Sequence, residues 1–326
     1  MTLAIAVLMD PIEHIKVAKD TSLAMMLEAQ RRGHALYYLR QGDLAIRHGQ
    51  AWGRLAPVTV HDDPGHWFDL GEATWQPLAT MDVILDRKDP PVDEQYIYDT
   101  QVLELTQRDT SGRPAPLLVN DTRALRDCNE KLYAMQFPQC CPTTLVARDA
   151  DELRRFVAEQ GEVVLKPLDG MGGHGIFRVR HGDTNLNSML ETLLGDENRF
   201  VMAQKFIPAI TAGDKRILVI DGEPVPYALA RIPKAGEFRG NLASGGRGEG
   251  VPLSERDRWI VSQVAPDLVR RGLLFVGLDV IGDWLTEINV TSPTCIRELD
   301  KQFGLNIAGQ LFDVIEKRRT GILPAA

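Results

Sequence analysis

The sequence predicts two units of different class, an N-terminal open parallel α/β sheet domain and, behind it, an α+β region built from two parts. Three observations carry this. The first third alternates apolar runs of strand length with amphipathic helical stretches, the signature of βαβ units. After about residue 127 the pattern changes to short alternating strands separated by glycine turns, which favours antiparallel pairing. The chain has 326 residues, enough for two or three compact units at about 100–200 residues each.

Leu3–Met9 reads as a buried first strand, and Thr21–His34 as an amphipathic helix capped by Asp20 and stopped at Gly33. "ALYYL", "MDVILDR" and "PLLVN" continue as strands, with helices expected over 94–108 and from Thr122. "TTLVAR", "EVVLKPL" and "GIFRVR" are the short strands of the second unit. "RILVIDGEPVPYALARI" is a hairpin about Asp221 and Gly222. A glycine-rich segment and a helix over 254–271 follow, then "LLFVGLDVIG" and "DWLTEINVT" as a second hairpin, and a last helix near 308–318. The expected boundaries are 1–127, then 128–200 and 201–318, with 319–326 as a tail.

A net charge of -8 gives no concentrated basic face, so nucleic-acid and membrane-surface partners are not expected. The first apolar run is too short for a span and has no basic residues before it, and Cys128, Cys140, Cys141 and Cys295 lack C-x-x-C spacing. A cytoplasmic protein with reduced thiols is the expectation.

Gly170, Gly172 and Gly175 match G-x-G-x-x-G. A dinucleotide loop must run from a strand into a helix, whereas "IFRVR" after Gly175 is strand, and no Lys-Ser or Lys-Thr follows to make a Walker A loop. Strand, glycine turn and returning strand instead make a hairpin flap whose backbone N–H groups can close over phosphates. Lys166 on the incoming strand would set an ammonium against phosphate oxygens, the competing reading being a solvated strand lysine. His174 is expected to be a spectator.

Phosphate chemistry needs a cation. Glu287 and Asn289 are two apart on one strand and share a face, and folding about Gly282 and Asp283 brings Asp279 beside Glu287 to within a residue or so of register. Two carboxylates and a carboxamide suit Mg²⁺, with Mn²⁺ as the substitute, and do not suit zinc. The competing reading is the polar side of a half-buried sheet. Neither H-R-D nor D-F-G occurs, so kinase chemistry is not expected.

"MDPIEHIKVAKDTSLAMMLEAQRRGH", "DVILDRKDPP", "LRDCNEKL", "LKPLDGMGGHGIFRV", "DGEPVPYALARIP", "RGNLASGGRGE" and "GLDVIGDWLTEINVTSPTCIRE" resemble, in order and along nearly the whole chain, the bacterial glutathione synthetase family of the ATP-grasp superfamily. The resemblance implies a substrate-binding domain followed by an ATP-grasp fold of two subdomains, commonly assembled as a homotetramer. It implies ATP-dependent joining of γ-glutamylcysteine and glycine through an acyl phosphate. ATP contacts are implied at Lys131, Lys166, the flap residues Asp169, Gly170, Gly172 and Gly173, the segment Gln204, Lys205, Phe206 and Ile207, and, for the ribose, Asp214. Asp279, Glu287 and Asn289 are implied as magnesium ligands.

Phosphoryl transfer needs charge neutralisation more than covalent help, and Arg216 and Arg231 are the expected catalytic arginines. An acyl phosphate must be kept from water. The segment from Arg231 to Gly250 suits a lid, with Arg239 and Asn241 as substrate contacts. Asp10, Ser22 and Arg87 lie at strand ends or helix starts, where ligands of open α/β sheets bind: Arg87 for a substrate carboxylate, Asp10 for the glutamyl ammonium. Cys295 has no paired base and reads as a packed cysteine. Rival readings are a sister ligase with another amine acceptor and a non-catalytic ATP-binding regulator.

Overall fold

The computed structural model describes residues 2–108, 112–196, 198–240 and 245–321. The N-terminal part runs β1 (Ala4–Met9), α1 (Thr21–Arg31), β2 (Ala35–Leu39), β3 (Leu44–Arg47), β4 (Gln50–Val60), β5 (Phe68–Leu70), β6 (Thr74–Pro77), β7 (Val83–Arg87), α2 (Glu94–Glu104), β8 (Leu117–Val119) and α3 (Thr122–Asp127). Its sheet has the order β3-β4-β2-β1-β7-β8, with β5 and β6 also paired to β4. Strands β2, β1, β7 and β8 are parallel, whereas β3 to β6 form an antiparallel extension. The parallel centre agrees with the sequence; the extension lay unread between the second and third expected strands.

β1 explains why the centre reads as a continuous apolar run. Ile5, Val7 and Met9 join one core cluster with α1, and Ala6 and Leu8 join another with Leu103 of α2, so both faces are covered. Helix α1 begins where expected, the Asp20 carboxylate accepting from Leu23 N at 2.6 Å. Its turn-off uses Gly33 at φ +79°, open to any neighbour and demanding only the left-handed conformation.

The second part runs β9 (Thr144–Ala147), α4 (Ala150–Gln160), β10 (Glu162–Pro167), β11 (Phe177–Arg180), α5 (Leu186–Leu194) and β12 (Val201–Lys205), a four-stranded antiparallel sheet ordered β11-β10-β12-β9. The third holds β13 (Asp214–Ile220), β14 (Glu223–Ile232), β15 (Arg247–Pro252), α6 (Glu255–Arg270), β16 (Phe275–Ile281), β17 (Trp284–Asn289), α7 (Ile296–Phe303) and α8 (Ile307–Arg319). Its five strands are antiparallel in the order β15-β14-β13-β16-β17.

One face of the C-terminal sheet packs on Ile260, Val261, Val264 and Leu268 of α6. Leu218, Ile220 and Leu229 on the other face share a core cluster with β1, α1, α7 and α8, so the first and third parts are joined by a common apolar interior. A polar staple fixes their register. Asn120, just past β8, donates to Phe275 O at 2.8 Å and Val290 O at 2.6 Å and accepts from Phe275 N at 2.8 Å.

Candidate active site between the flap and the C-terminal sheet

A cleft of ≈ 320 Å³ opens between the two antiparallel sheets. Its roof is the turn joining β10 to β11, its edge the end of β12, and its floor β13, β14, β16 and β17. Asp89 and Pro90 reach it from the N-terminal part, and Phe238, Arg239 and Gly240 from the connection between β14 and β15.

Alternation along β10 sends Val163 and Leu165 into the core while Val164 and Lys166 face the cleft. Lys166 is buried and donates to Gln204 Oε1 at 3.2 Å. Lys131, buried as well, donates to Gly170 O at 2.8 Å, which ties the roof down, and to the Glu130 carboxylate. Both ammonium groups converge on Glu287, at 3.7 Å from Lys131 and 3.9 Å from Lys166. Gly170, Gly172, Gly173, Gln204, Lys205, Phe206 and Ile207 line the same cleft. Asp169 is exposed and does not line the wall, and neither does His174.

On the floor, Asp279 and Glu287 are register partners across β16 and β17. Asp279 is held by Arg216 through Nε at 2.5 Å and Nη2 at 3.0 Å, and by Arg231 Nη2 at 2.9 Å. Burial works against its charge, but the two guanidiniums overcome that and hold its carboxyl well below the usual range. Arg231 also pairs with Asp214 Oδ2 at 2.5 Å. Burial pushes the Asp214 carboxyl up, against the pull of Arg231 and with help from the Asp279 and Glu287 charges. Its second oxygen, Oδ1, is a buried acceptor with no protein donor among the described residues, an open place for a ligand hydroxyl.

The donor set of Asp279, Glu287 and Asn289 is all oxygen, as a hard divalent cation requires. The sulfur nearby, Cys295, is buried and its thiol is pushed up by desolvation, so it stays protonated. Glu287 has the most freely offered oxygens, since Asp279 already accepts from both arginines. Asn289, which lines the cleft, donates through Nδ2 to Gly277 O at 3.3 Å and Asp279 Oδ2 at 3.2 Å, and these bonds fix its carboxamide beside Asp279.

The N-terminal candidates lie beside the cleft and not in its wall. Arg87 is buried and donates to Ser22 Oγ at 3.2 Å and Pro293 O at 2.9 Å. Among the described residues it has no carboxylate ion pair, and burial pulls its pKa down. Asp10 is tied to Lys88 Nζ at 3.0 Å and accepts from Asp89 N at 3.0 Å. In the connection after β14, Arg239 pairs with Glu237 and donates to Gly173 O at 3.1 Å, bridging this segment to the flap. Asn241 lies outside the described residues.

Sequence reasoning passed over Glu130, which lines the cleft and whose carboxyl is raised by burial and by the Glu287 charge. An acidic residue next to the lysine of "NEKL" was the available signal. Phe238 and Met171 were also missed, since a lone apolar residue in a loop carries no periodic signature.

Residues 3–126 match the family described as prokaryotic glutathione synthetase, N-terminal domain, and residues 130–304 its ATP-grasp domain. Relatives named glutathione synthetase include those of Xanthomonas axonopodis pv. citri, 62% identical over 97% of this chain and 98% of the relative, and of Pseudomonas syringae pv. tomato, 58% identical over 98% of each. Among solved structures, D-cycloserine synthetase DcsG superposes with a TM-score of 0.65 at 14% identity, over 95% of this chain and 99% of that one. The ATP-grasp ligase PsnB with minimal precursor, Mg and ADP gives 0.61 at 17%, over 97% and 98%; at these identities the likeness concerns the fold alone.

Proposed function

The chain belongs to the prokaryotic glutathione synthetase family, and from that premise we propose which of its residues carry each part of the ligation. It is an ATP-dependent ligase whose substrates are small molecules. The reaction joins γ-glutamylcysteine to glycine: ATP phosphorylates the cysteinyl carboxylate, the glycine amine attacks the acyl phosphate, and glutathione, ADP and phosphate leave.

The observation that carries the assignment is the convergence of two buried lysines on Glu287 beneath the glycine flap, opposite the Arg216–Asp279–Arg231 cluster. Lys131 and Lys166 set positive charge where phosphates would lie, and the flap glycines offer backbone N–H groups there. Asp169 at the flap's outer turn would reach the nucleotide only on closure. Gln204 to Ile207 face the base, and Asp214 Oδ1, which has no donor among the described residues, accepts a ribose hydroxyl. Asp279, Glu287 and Asn289 are the residues that would hold the divalent cation, Mg²⁺ by preference and Mn²⁺ as substitute, which when bound neutralises charge on the phosphates.

Arg216 and Arg231 keep Asp279 ionised and present guanidinium charge to the transferring phosphoryl group and the oxyanion. Arg87, a buried cation with no carboxylate ion pair among the described residues, is matched to a substrate carboxylate, and Ser22 orients it; Asp10 would have to leave Lys88 to meet an ammonium. Arg239 and Asn241 belong to the lid that excludes water from the acyl phosphate. A cytoplasmic homotetramer is part of the proposal and rests on the family likeness; free cysteines agree with a reducing compartment, and among the described residues no helix is long and apolar enough to cross a membrane. A substrate domain ending at 127 is supported by the family matches, one ending at 126 and the other beginning at 130; within the ATP-grasp part the division falls after Lys205 and not at 200, because β12 pairs with β10 and β9.

The test is ADP release with Mg-ATP and γ-glutamylcysteine, with and without glycine, and mass analysis of the product. One glutathione per ADP, dependent on glycine, is expected. ATP binding without release points to a regulator, and release with a different amine only to a sister ligase.

A further inference from the structure

Outside the cleft, His61, His66 and Asp69 bring three ligating atoms within 4.8 Å of one another. We propose that they form a binding site for a borderline divalent cation such as Zn²⁺, separate from the reaction's metal and independent of the reading above.

The scaffold is the connection between β4 and β5. Val60 pairs with Phe68 and Thr59 with Asp69; His61, two residues beyond Thr59, therefore shares a face with Asp69 as its diagonal neighbour. The loop is set by its own backbone, with His61 N donating to Trp67 O at 2.9 Å, His66 N to Asp63 O at 3.1 Å and Gly65 N to Asp63 Oδ1 at 2.8 Å. It is anchored from outside by Trp67 Nε1 donating to Ile12 O at 2.8 Å and by an Arg297–Asp62 ion pair at 2.6 Å. The side chains thus stand on a fixed hairpin.

Both imidazoles aim Nε2 at a single carboxylate oxygen, Asp69 Oδ2, from 2.9 Å for His61 and 3.1 Å for His66, their rings stacked at 5.2 Å. In a tetrahedral zinc site with bonds near 2.0–2.1 Å, neighbouring donors are roughly 3.3 Å apart. The two nitrogen–oxygen edges already present are a few tenths of an ångström short of that and all three donors lie within 4.8 Å of one another, so a cation enters as Asp69 draws back slightly and rotation of the imidazoles sets the remaining edge. Two imidazoles and one carboxylate are a donor set that zinc accepts, and solvent reaches all three, which leaves the fourth position to water. The all-oxygen set around Glu287 is of the opposite preference, and none of these three residues lines that cleft.

The experiment titrates Zn²⁺, and separately Co²⁺, into the full chain stripped with chelator and held in saturating Mg²⁺. Wild type is expected to bind one Zn²⁺ per chain more than the H61A/H66A double variant, to give tetrahedral Co²⁺ absorption bands that the double variant lacks, and to show a rise in Tm with Zn²⁺ that the double variant does not. D69N, which keeps the shape and removes the charge, should weaken Zn²⁺ binding ~10-fold or more. Equal metal stoichiometry and equal Co²⁺ spectra in wild type and the double variant would overturn the site and leave the trio as a hydrogen-bonded latch.

Discussion

Replacing Asp279 and Glu287 one at a time separates the two tasks that the floor of the cleft combines. Asp279 is 3% exposed and neutralises two buried arginines at 2.5 and 2.9 Å. Asp279→Asn keeps the shape and leaves both guanidiniums short of charge, with Asp214 as their remaining carboxylate. Breaking a buried ion pair from one side costs about 3–5 kcal/mol, which for a chain of this length lowers Tm by roughly 6–10 °C at ~2 °C per kcal/mol.

Glu287 sits differently. Its side chain is 19% exposed and its cations, Lys131 and Lys166, stand at 3.7 and 3.9 Å, beyond direct hydrogen bonding. A unit charge pair at about 4 Å is worth ~4 kcal/mol before desolvation at an effective dielectric of 20. Glu287→Gln loses two such attractions but relieves the repulsion that raises Glu130 and the cost of holding a partly buried charge, so its net effect on stability should stay within ~1 kcal/mol. Turnover should nevertheless fall by ~10²–10³-fold or more, since the most freely offered metal oxygen is gone, while ATP affinity changes less. Thermal unfolding, calorimetric ATP titration and ADP release on both variants decide the matter. If E287Q lost ATP binding and turnover equally, or if D279N melted with wild type, the division of labour would be wrong.

Two further outcomes follow from the geometry. Burial pushes the Asp86 carboxyl up from its ordinary 3.8 to about 7; the charges acting on it come from Asp99, Arg87 and Lys88, and Lys88 N donates to it at 3.3 Å. The folded state therefore holds a proton that the unfolded state releases near pH 3.8, so this group's contribution is full below that pH and is lost as pH rises through about 7. Asp86→Asn should flatten that decline and make the protein more stable at pH 8 by up to ~4 kcal/mol; denaturant melts at pH 5 and 8 check this, and an unchanged pH slope refutes it. A Cβ on Gly240 would lie 2.4 Å from Arg231 O and 3.1 Å from Asp214 Cβ. The strand carbonyl cannot yield, so in Gly240→Ala the lid segment must stand off the floor, at ~1–3 kcal/mol. Steady-state kinetics should show a ~5–150-fold loss in kcat/KM with Tm little changed; wild-type kcat/KM would mean that closure does not use this contact.

What was legible in the sequence is what local rules govern. The glycine turn between two alternating strands marked the flap, because a strand after Gly175 excludes a helix-borne phosphate loop whatever the rest of the chain does. The tight turn at Gly282 and Asp283 fixed the pairing of β16 with β17, so counting residues along one hairpin brought Asp279 to within one residue of Glu287, and a register shift between Asp279 and Val280 makes them partners. Asp20 before α1 and Gly33 after it announced that helix's ends by the same short-range chemistry.

Other features depend on strands brought together from far apart. The antiparallel strands β3 to β6 were missed because β4 pairs with several partners, and no single hairpin pattern reports that. The sequence points to Arg216 and Arg231 as catalytic arginines but not to their partners: Arg216 meets Asp279 across 63 residues of sequence because β13 lies between β14 and β16. Among the described residues Asp214 Oδ1 has no partner, and Arg87 at the end of β7 meets Pro293 O, 206 residues away, and makes no carboxylate ion pair. By itself the sequence determined the chemical inventory, the class of each unit and the hairpins that carry flap and metal ligands, since periodicity, capping and turn chemistry act over a few residues. Only the tertiary structure decided which charges neutralise one another and which remain for the substrate, because burial and ion pairing are set by strand order, and strand order is a property of the whole fold.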